Sequence, residues 1–168
     1  VADLESMAQR FILISQLEQG AITQNANEVS IKDALDSSVE SLNDDTKVVE
    51  RLDARSLNVH QPEFLVRTVL QSIVQNAAEH TKPEDVIQIT TKKHRRHAVV
   101  SVKNYGEELP KERLNTLFEP LNRIENIEDF SHEGLGLSLY IDRLIMHYLS
   151  GDISATTGVG STTFTVRI

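Results

Sequence analysis

The feature that most constrains the fold is a long apolar periodic segment, Gln61–Thr81. Its apolar residues recur at three- and four-residue spacing: Leu65, Val66, Val69, Leu70, Ile73, Val74 and Ala77. This wide stripe predicts a helix that buries a broad face, and Pro62 suits its first turn because no N–H is needed there. Asn76 falls at the edge of the stripe, where an unpaired amide is costly. We therefore expect Asn76 either to cap a neighbouring loop or to have a function.

Composition excludes several classes of protein. A chain of 168 residues is long enough for one well-cored domain with a short appendage. It has no cysteine, which excludes a disulfide framework, a thiol nucleophile and a thiolate metal site. The net charge of -8 argues against nucleic-acid binding, because that binding depends on neutralising phosphates. No apolar run has the length of a membrane span and no leader opens the chain, so we expect a cytoplasmic fragment without membrane contact.

The first residues predict a helix that does not belong to the main domain. Val1–Gly20 carries apolar residues at heptad spacing and begins with Val rather than Met, so we expect a piece of a longer protein. A helix of this length cannot bury such a seam alone, and it either packs on the domain or pairs with another helix. Residues 21–28 are polar and without periodicity, which predicts a linker. The main domain is then 29–168.

Short alternating segments precede the long helix. Val29–Ile31 is predicted to be a strand and Lys32–Leu42 a helix. Lys47–Leu52 and Arg55–His60 alternate in polarity, and we expect them to pair with each other.

A predicted hairpin follows the long helix. Val86–Thr91 and Ala98–Lys103 are strand-like and are joined by the basic run Lys92–His97. This run is either a phosphate-binding patch or a solvated hairpin tip, and the second interpretation is favoured. His94 and His97 are expected at that tip rather than as metal ligands, since nothing acidic flanks them.

The last third of the chain predicts a loop, a helix and a second hairpin. Asn104–Glu133 is long and irregular, with a helical turn or two around Lys111–Leu117, and such a loop is either disordered or functional. Within it, we expect Tyr105–Glu133 to be the least ordered part of the domain. Leu135–Leu149 is a predicted helix, and Asp152–Thr157 with Thr162–Ile168 a predicted hairpin. The fold class is therefore α+β, a two-layer sandwich with about three helices on a mixed, mostly antiparallel sheet.

Five short motifs stand in an order that is typical of one family. They are Asn76, Asn104-Tyr105-Gly106, Leu117-Phe118-Glu119-Pro120, Gly134-Leu135-Gly136-Leu137 and the Gly160–Phe164 hairpin. The first four resemble the N, first glycine, F and second glycine boxes of sensor histidine kinases, and the closing hairpin follows them in the order seen in that family. The ATP-binding domains of these kinases have the Bergerat fold, which they share with gyrase, Hsp90 and MutL. The resemblance covers residues 29–168, and residues 1–20 resemble the end of the second helix of the kinase dimerisation hairpin.

The resemblance implies ATP and Mg²⁺ as cofactors, with roles for named residues at the phosphate end of the site. Asn76 would give an amide oxygen to Mg²⁺, which prefers oxygen ligands. Ser72, four residues earlier, would be a second catalytic position. The backbone of Gly134, Leu135 and Gly136, at the start of a helix, would approach the phosphates. Arg123 on the presumed lid would reach the γ-phosphate or be solvated.

The resemblance also implies residues around the base. Asn104 and Gly106 would form the turn that reads adenine, and Thr162 would place a hydroxyl at the base edge. His80 would lie near the base or be an exposed residue at a helix end. Apolar walls and a lid hinge would come from Leu109, Leu117, Phe118 and Leu137.

Several positions depart from the family pattern. Asn104 replaces the aspartate that reads adenine, Glu108 replaces a glycine, and His132 replaces the first glycine of the second glycine box. Glu79 stands where a lysine usually faces the phosphates, and Ser72 where an asparagine or acidic residue is frequent. At an effective dielectric near 20, a unit charge at about 5 Å contributes roughly 3 kcal/mol. We expect a Bergerat domain whose nucleotide site is partly eroded.

Three functions are compatible with these residues. The first is the catalytic domain of a histidine kinase, whose partners are ATP, its own dimerisation and phosphoacceptor domain, and a response regulator, in a homodimeric full-length protein. The second is a degenerate domain that acts as a regulatory or dimer-interaction module. The third, another Bergerat ATPase or an anti-sigma serine kinase, is disfavoured by the heptad seam. None of the six histidines has the acidic, basic and proline residues that follow a phosphoacceptor, so we expect that histidine outside this fragment.

Overall fold

The described part of the chain contains five helices and seven strands in a computed structural model that covers residues 2–42, 48–53, 57–106, 109–120 and 136–168. In chain order these are α1 (Ala2–Glu18), β1 (Asn27–Ser30), α2 (Ile31–Glu40), β2 (Val48–Asp53), β3 (Asn58–Gln61), α3 (Glu63–His80), β4 (Val86–His94), β5 (His97–Tyr105), α4 (Lys111–Leu114), α5 (Ser138–Tyr148), β6 (Asp152–Gly158) and β7 (Ser161–Arg167).

One sheet and the helices on its face form the two layers. The main sheet has the order β2-β4-β5-β7-β6, in which only the β2–β4 pair is parallel. A separate two-stranded sheet pairs β1 with β3. The predicted α+β class with a mixed, mostly antiparallel sheet is confirmed. The three helices of ten or more residues between residues 29 and 168 are α2, α3 and α5, and α4 is a single turn within the predicted Lys111–Leu117 region.

The predicted pairing of residues 47–52 with 55–60 is wrong. β2 pairs in parallel with β4, so that Val49 lies opposite Ile87, and β3 pairs with β1, so that Val59 lies opposite Val29. The reason is burial: Ile87 and Val29 belong to the core, and pairing with β4 and β1 places each segment beside buried residues. Alternating polarity predicts a strand but does not identify its partner.

The central helix α3 matches its prediction closely. All seven predicted apolar residues have no exposed surface, and Ala78 is also buried. The helix begins at Glu63 rather than Gln61, because Pro62 occupies the N-cap and Gln61 ends β3. At its other end Thr81 is extended and its hydroxyl donates to the Ala77 carbonyl oxygen, so the helix ends at His80. These ends matter because the site described below lies at the C-terminus of α3.

Helix α5 begins later than predicted. The prediction started at Leu135, whereas the helix begins at Ser138, after a left-handed Gly136 with φ of 63°. Of the predicted face, Leu137, Ile141 and Ile145 are buried, whereas Leu144 and Tyr148 are only partly buried. The helix also buries Leu139, Asp142 and Met146. The buried surface thus extends beyond the predicted face, because α1, α3 and β6 all pack on α5.

The N-terminal helix α1 is tied to α5 by two polar contacts. Arg10 donates to the Ser138 hydroxyl at 3.2 Å, and the Tyr140 hydroxyl donates to the Glu18 carboxylate at 2.8 Å. The bond to Glu18 raises the pKa of the Tyr140 phenol. Most of the outer face of α1 is exposed, and Phe11 is 54% exposed. The division of the chain into residues 1–20, 21–28 and 29–168 stays a prediction, with β1 beginning at Asn27.

Candidate functional site

Several of the predicted site residues lie where α3 ends beside two strands. Thr81 forms a β-bridge with Gly106, and the Gly106 N–H donates to the Gly160 carbonyl oxygen at 3.1 Å. A Cβ on Gly106 would overlap the His80 carbonyl oxygen, so only glycine allows the strand to approach the helix end this closely. Three segments distant in sequence are therefore joined at one edge of the sheet.

Two buried polar side chains lie next to this junction. Asn104 on β5 is 1% exposed, pairs in register with Thr162 on β7, and donates from Nδ2 to the His80 carbonyl oxygen at 3.4 Å. The Thr162 hydroxyl is buried, and no described residue forms a hydrogen bond with its Oγ1. A buried hydroxyl without a partner costs about 1–3 kcal/mol, so it fits a polar ligand atom at this place.

The predicted turn at Asn104-Tyr105-Gly106 is wrong in its local structure. Asn104 and Tyr105 are the last residues of β5, where Asn104 lies opposite Thr162 and Tyr105 opposite Ser161. The ladder to β7 extends the strand beyond Lys103, because the backbone N–H and C=O groups of these residues are paired there. The chain leaves the strand only at Gly106.

Apolar side chains line the same edge of the sheet. The rings of Phe118 and Phe164 meet edge to face, with centroids 6.4 Å apart. Leu117 and Phe118 pack against the core, and Leu137 is 4% exposed. An ion pair of 2.9 Å between Glu119 and Arg143 attaches this segment to α5. Leu109 is half-buried but is not part of the core.

The C-terminal turn of α3 carries the side chains predicted to face phosphate. Asn76 is half-buried, and no residue in the described ranges forms a hydrogen bond with its amide, so the loop-capping alternative receives no support there. Glu79 is exposed, and its carboxylate accepts a hydrogen bond of 3.0 Å from Gln75. His80 is exposed at the helix end, and its carbonyl oxygen is the one that accepts from Asn104.

The start of α5 provides backbone groups rather than side chains. Gly136 is left-handed, and Leu137 occupies the N-cap without a side-chain hydrogen bond to the first turn. The N-terminal end of a helix carries a partial positive charge and unpaired N–H groups, which suit an anion. Arg123, Gly134, Leu135, Glu108 and His132 lie outside the described residues, as does most of the predicted lid.

Ser72 does not point to an open site in this structure. Its hydroxyl donates to the Asp142 carboxyl at 2.6 Å, across the contact between α3 and α5. Asp142 is 1% exposed, and its other oxygen, Oδ1, has no partner among the described residues. Burial raises the pKa of the Asp142 carboxyl well above its ordinary value, while the Ser72 hydrogen bond and the Arg10 charge oppose that shift.

Asp142 was not among the predicted residues. A signal for it exists, because it lies three residues after Leu139 and four before Met146, on the stripe that α5 buries. An acidic residue in that register predicts a buried polar contact, and Ser72 supplies it.

We expect Ser72→Ala to lower the free energy of unfolding by about 1–3 kcal/mol, because the Asp142 carboxyl loses its donor in a buried place. Chemical denaturation measures this change. Thr68→Ala is the matched control on the same helix, since the Thr68 hydroxyl only donates to the Phe64 carbonyl oxygen one turn back, and its effect should be smaller. Unchanged stability with lost phosphoryl transfer would instead support the predicted catalytic role of Ser72.

The described residues contain neither a metal-binding cluster nor a membrane-spanning helix. Among the described residues, no group of three or more histidine, cysteine, aspartate or glutamate side chains is arranged to hold a metal ion. None of the described helices is long and apolar enough to cross a membrane.

Two clefts elsewhere on the described surface do not coincide with this junction. One, of about 530 Å³, is lined by Gln24, Asn25, Asn27, Glu63, Phe64 and Arg67, none of which is a predicted site residue. We place the candidate site at the end of α3, because the close backbone approach occurs there beside a buried hydroxyl that has no partner among the described residues.

Comparison with known sequences gives the family context. A model of the histidine kinase-, DNA gyrase B- and HSP90-like ATPase family matches residues 61–168. The chain is 29% identical over 105 residues to the sensor protein CzcS of Cupriavidus metallidurans, covering 62% of this chain and 22% of that protein. It is 28% identical over 101 residues to the sensor protein SrrB of Staphylococcus aureus, covering 60% and 17%. The match thus spans about a fifth of the length of these curated relatives.

Comparison with solved structures gives the fold. The histidine kinase AdeS of Acinetobacter baumannii aligns with a TM-score of 0.81 at 19% identity, covering 100% of this chain and 79% of that chain. A full-length ShkA in complex with AMPPNP aligns with a TM-score of 0.83 at 17% identity, covering 98% and 35%. The catalytic domain of the histidine kinase ThkA aligns with a TM-score of 0.71 at 24% identity, covering 86% and 97%. At these identities the likeness shows the fold alone.

Proposed function

Because the chain belongs to the histidine kinase-, DNA gyrase B- and HSP90-like ATPase family, we propose that it is the ATP-binding catalytic domain of a two-component sensor histidine kinase. It transfers the γ-phosphoryl group of ATP to a histidine on a dimerisation domain outside residues 1–168. The relatives named above are sensor proteins, which supports this context. The full-length protein is a homodimer, and this domain lies in the cytoplasm as the cytoplasmic part of a membrane receptor. A response regulator receives the phosphoryl group.

The observation that carries the proposal is the buried Thr162 hydroxyl beside Asn104, since no residue in the described ranges forms a hydrogen bond with that hydroxyl. A purine amine and ring nitrogen present the donor and acceptor that an amide and a hydroxyl can satisfy together. Asn104 accepts from the exocyclic amine through its amide oxygen, while its Nδ2 is held by the His80 carbonyl oxygen. Because a neutral amide replaces a carboxylate, this contact is weaker than a charge-assisted one.

The phosphates lie between the end of α3 and the start of α5. The uncapped N-terminus of α5 provides N–H groups and the positive end of its dipole. Asn76 fits Mg²⁺, because its amide has no hydrogen-bond partner within the described ranges and Mg²⁺ prefers oxygen ligands. When bound, Mg²⁺ neutralises charge on the phosphate oxygens. The protein's own part in the reaction is to hold ATP in place for in-line attack by the acceptor histidine. As the imidazole nitrogen bonds to the γ-phosphorus, the bond from that phosphorus to the β–γ bridging oxygen breaks, and ADP leaves with the oxygen.

The link to the dimerisation domain is α1. Its contacts to α5 run from Arg10 to Ser138 and from Tyr140 to Glu18, at the N-terminal half of the helix proposed to hold the phosphates. A helix that continues into the dimerisation hairpin would thus sit directly against the nucleotide-binding helix.

Phosphoryl transfer in the full-length protein tests the proposal. Incubation with γ-labelled ATP and Mg²⁺ should place label on protein in an acid-labile, alkali-stable form, as expected for phosphohistidine. ATP binding by calorimetry without any label on the protein would favour the regulatory module. Absence of ATP binding would overturn the assignment of the site.

We expect Glu79→Lys to strengthen Mg-ATP binding by about 1–3 kcal/mol, because it replaces an anion by a cation one turn from Asn76. Calorimetry on the wild type and the variant measures the difference. Glu63→Lys is the control, since it changes the net charge equally at the other end of α3, roughly 24 Å away. Tight wild-type binding that Glu79→Lys leaves unaltered would contradict the partly eroded site.

A further inference from the structure

A second site, which we name the basic cleft, lies at the tip of the β4–β5 hairpin. It has a volume of about 380 Å³ and is lined by Lys93, Arg95, Arg96 and His97 together with Asn58 and Leu57. From the sequence, the basic run Lys92–His97 had two interpretations, a phosphate-binding patch or a solvated hairpin tip, of which the second was favoured. The structure shows both a tight tip and a concave surface beside it.

The basic cleft is remote from the nucleotide site. His97 begins β5 and Tyr105 ends it, so the two sites lie at opposite ends of one nine-residue strand. At about 3.3 Å per residue this separates them by roughly 26 Å. The cleft therefore has no part in holding ATP.

The charge of the cleft contrasts with that of the chain. Lys92, Lys93, Arg95 and Arg96 are four cations in five residues, within a protein of net charge -8, and all but Lys92 line the cleft. All four are exposed, and none of them forms an ion pair with any residue in the described ranges. Elsewhere in those ranges several arginines and lysines are paired, among them Arg51 with Asp36 and Arg67 with Glu63. Like-charged neighbours without counter-charges repel one another and favour an anionic ligand.

The backbone at the tip is unfavourable for arginine. Arg95 has φ of 56° in the two-residue turn that joins His94 to His97. Glycine, asparagine or aspartate is usual at such a position, because a Cβ is strained in the left-handed region. An arginine there places a guanidinium at the mouth of the cleft at a cost to stability, and strain of this kind is found mainly at functional positions.

We propose that the basic cleft docks an acidic segment of a partner protein. One guanidinium group can form two parallel hydrogen bonds with one carboxylate, and the cleft has two such groups on the adjacent residues Arg95 and Arg96. Leu57 adds an apolar contact that a free phosphate would not use, and Asn58, whose Nδ2 donates to the Glu28 carboxylate at 2.6 Å, offers its amide oxygen to a peptide N–H. A long polyanion, such as nucleic acid or an anionic membrane, also faces the rest of the protein, whose net negative charge repels it. A short acidic segment experiences mainly the positive potential of the cleft itself, because salt screens the more distant charges.

Titration with a hexaglutamate peptide tests the proposal, with the intact chain at low salt and binding followed by calorimetry. We expect saturable binding that Arg95→Gln with Arg96→Gln weakens about tenfold, since individual exposed ion pairs are weak and two are removed together. Binding should also weaken as salt is raised. Because this hairpin tip is exposed, the double variant should remain folded, which circular dichroism verifies.

Lys82→Gln with Lys111→Gln is the matched control, because it removes the same charge from exposed positions outside the cleft and should leave peptide binding unchanged. ATP affinity should be equal in the wild type and the Arg95/Arg96 double variant, which separates this proposal from that for the nucleotide site. No peptide binding, or equal loss in the control, would overturn the proposal. Tighter binding of tripolyphosphate or of a single-stranded oligonucleotide would overturn it in favour of a phosphate site.

Discussion

Asn76→Ala is expected to abolish the magnesium dependence of ATP binding and to reduce phosphoryl transfer by at least about 100-fold. Asn76 is the one protein oxygen that we assign to the metal, and even residues that only support metal ligands cost roughly 10- to 100-fold when they are removed. Its amide has no partner in the described part of the chain, so the substitution breaks no hydrogen bond there and should leave the fold intact. Calorimetry with Mg²⁺ and with a chelator measures the dependence.

Gln71→Ala is the control for this experiment. Gln71 lies on the same helix and is exposed, so its removal should change neither ATP binding nor transfer. Magnesium dependence that survives in Asn76→Ala would show that the metal is held by other groups, and the assignment of Asn76 would then be wrong.

Gly106→Ala is expected to lower the free energy of unfolding by about 3 kcal/mol and to weaken ATP binding. The new methyl group would overlap the His80 carbonyl oxygen, which belongs to the backbone and cannot move without separating β5 from the end of α3. The same movement would break the hydrogen bond from Asn104 to that carbonyl oxygen. Denaturant unfolding and ATP titration measure the two effects.

Gly158→Ala separates this clash from the general effect of replacing glycine. Gly158 ends β6 near the same edge of the sheet, and a Cβ there would meet only the Ser161 hydroxyl, at 3.2 Å. We expect a change in stability well below that of Gly106→Ala. Equal losses of stability in the two variants would mean that the bridge between Thr81 and Gly106 does not require the absence of a Cβ at position 106.

Local patterns predicted several elements correctly because those elements depend on local interactions. In α3 the spacing of Leu65, Val69 and Ile73 matches the helical period, and all three are fully buried. In the β4–β5 hairpin the alternation from Ile87 to Val102 matches the pleat, and the two strands need only a two-residue turn to pair.

The order of short motifs predicted the candidate site better than any residue alone. Asn76, Gly106 and Thr162 are far apart in sequence, and the structure brings their segments to one edge of the sheet. The family resemblance supplied this juxtaposition, since spacing along the chain carries no information on contact across it. The roles of Arg123 and of Gly134 stay predictions, because both lie outside the described residues.

Long-range pairing was the part that residue patterns could not supply. β2 and β3 were expected to form a hairpin, yet they belong to different sheets. The partner of a strand depends on which other strands have an unpaired edge next to the core, and this is not visible in the segment itself. Asn104 and Tyr105 were expected in a turn, yet β7 extends their strand.

By itself, then, the sequence determined the helical period of α3, the alternation of β4 and β5, the absence of cysteine and the order of the motifs. These are properties of neighbouring residues or of composition. Only the tertiary structure decided that the Ser72 hydroxyl donates to the Asp142 carboxyl, and that Thr162 keeps a buried hydroxyl without a partner within the described ranges. Both results depend on which elements cover a side chain, because burial determines whether a polar group needs a partner inside the protein.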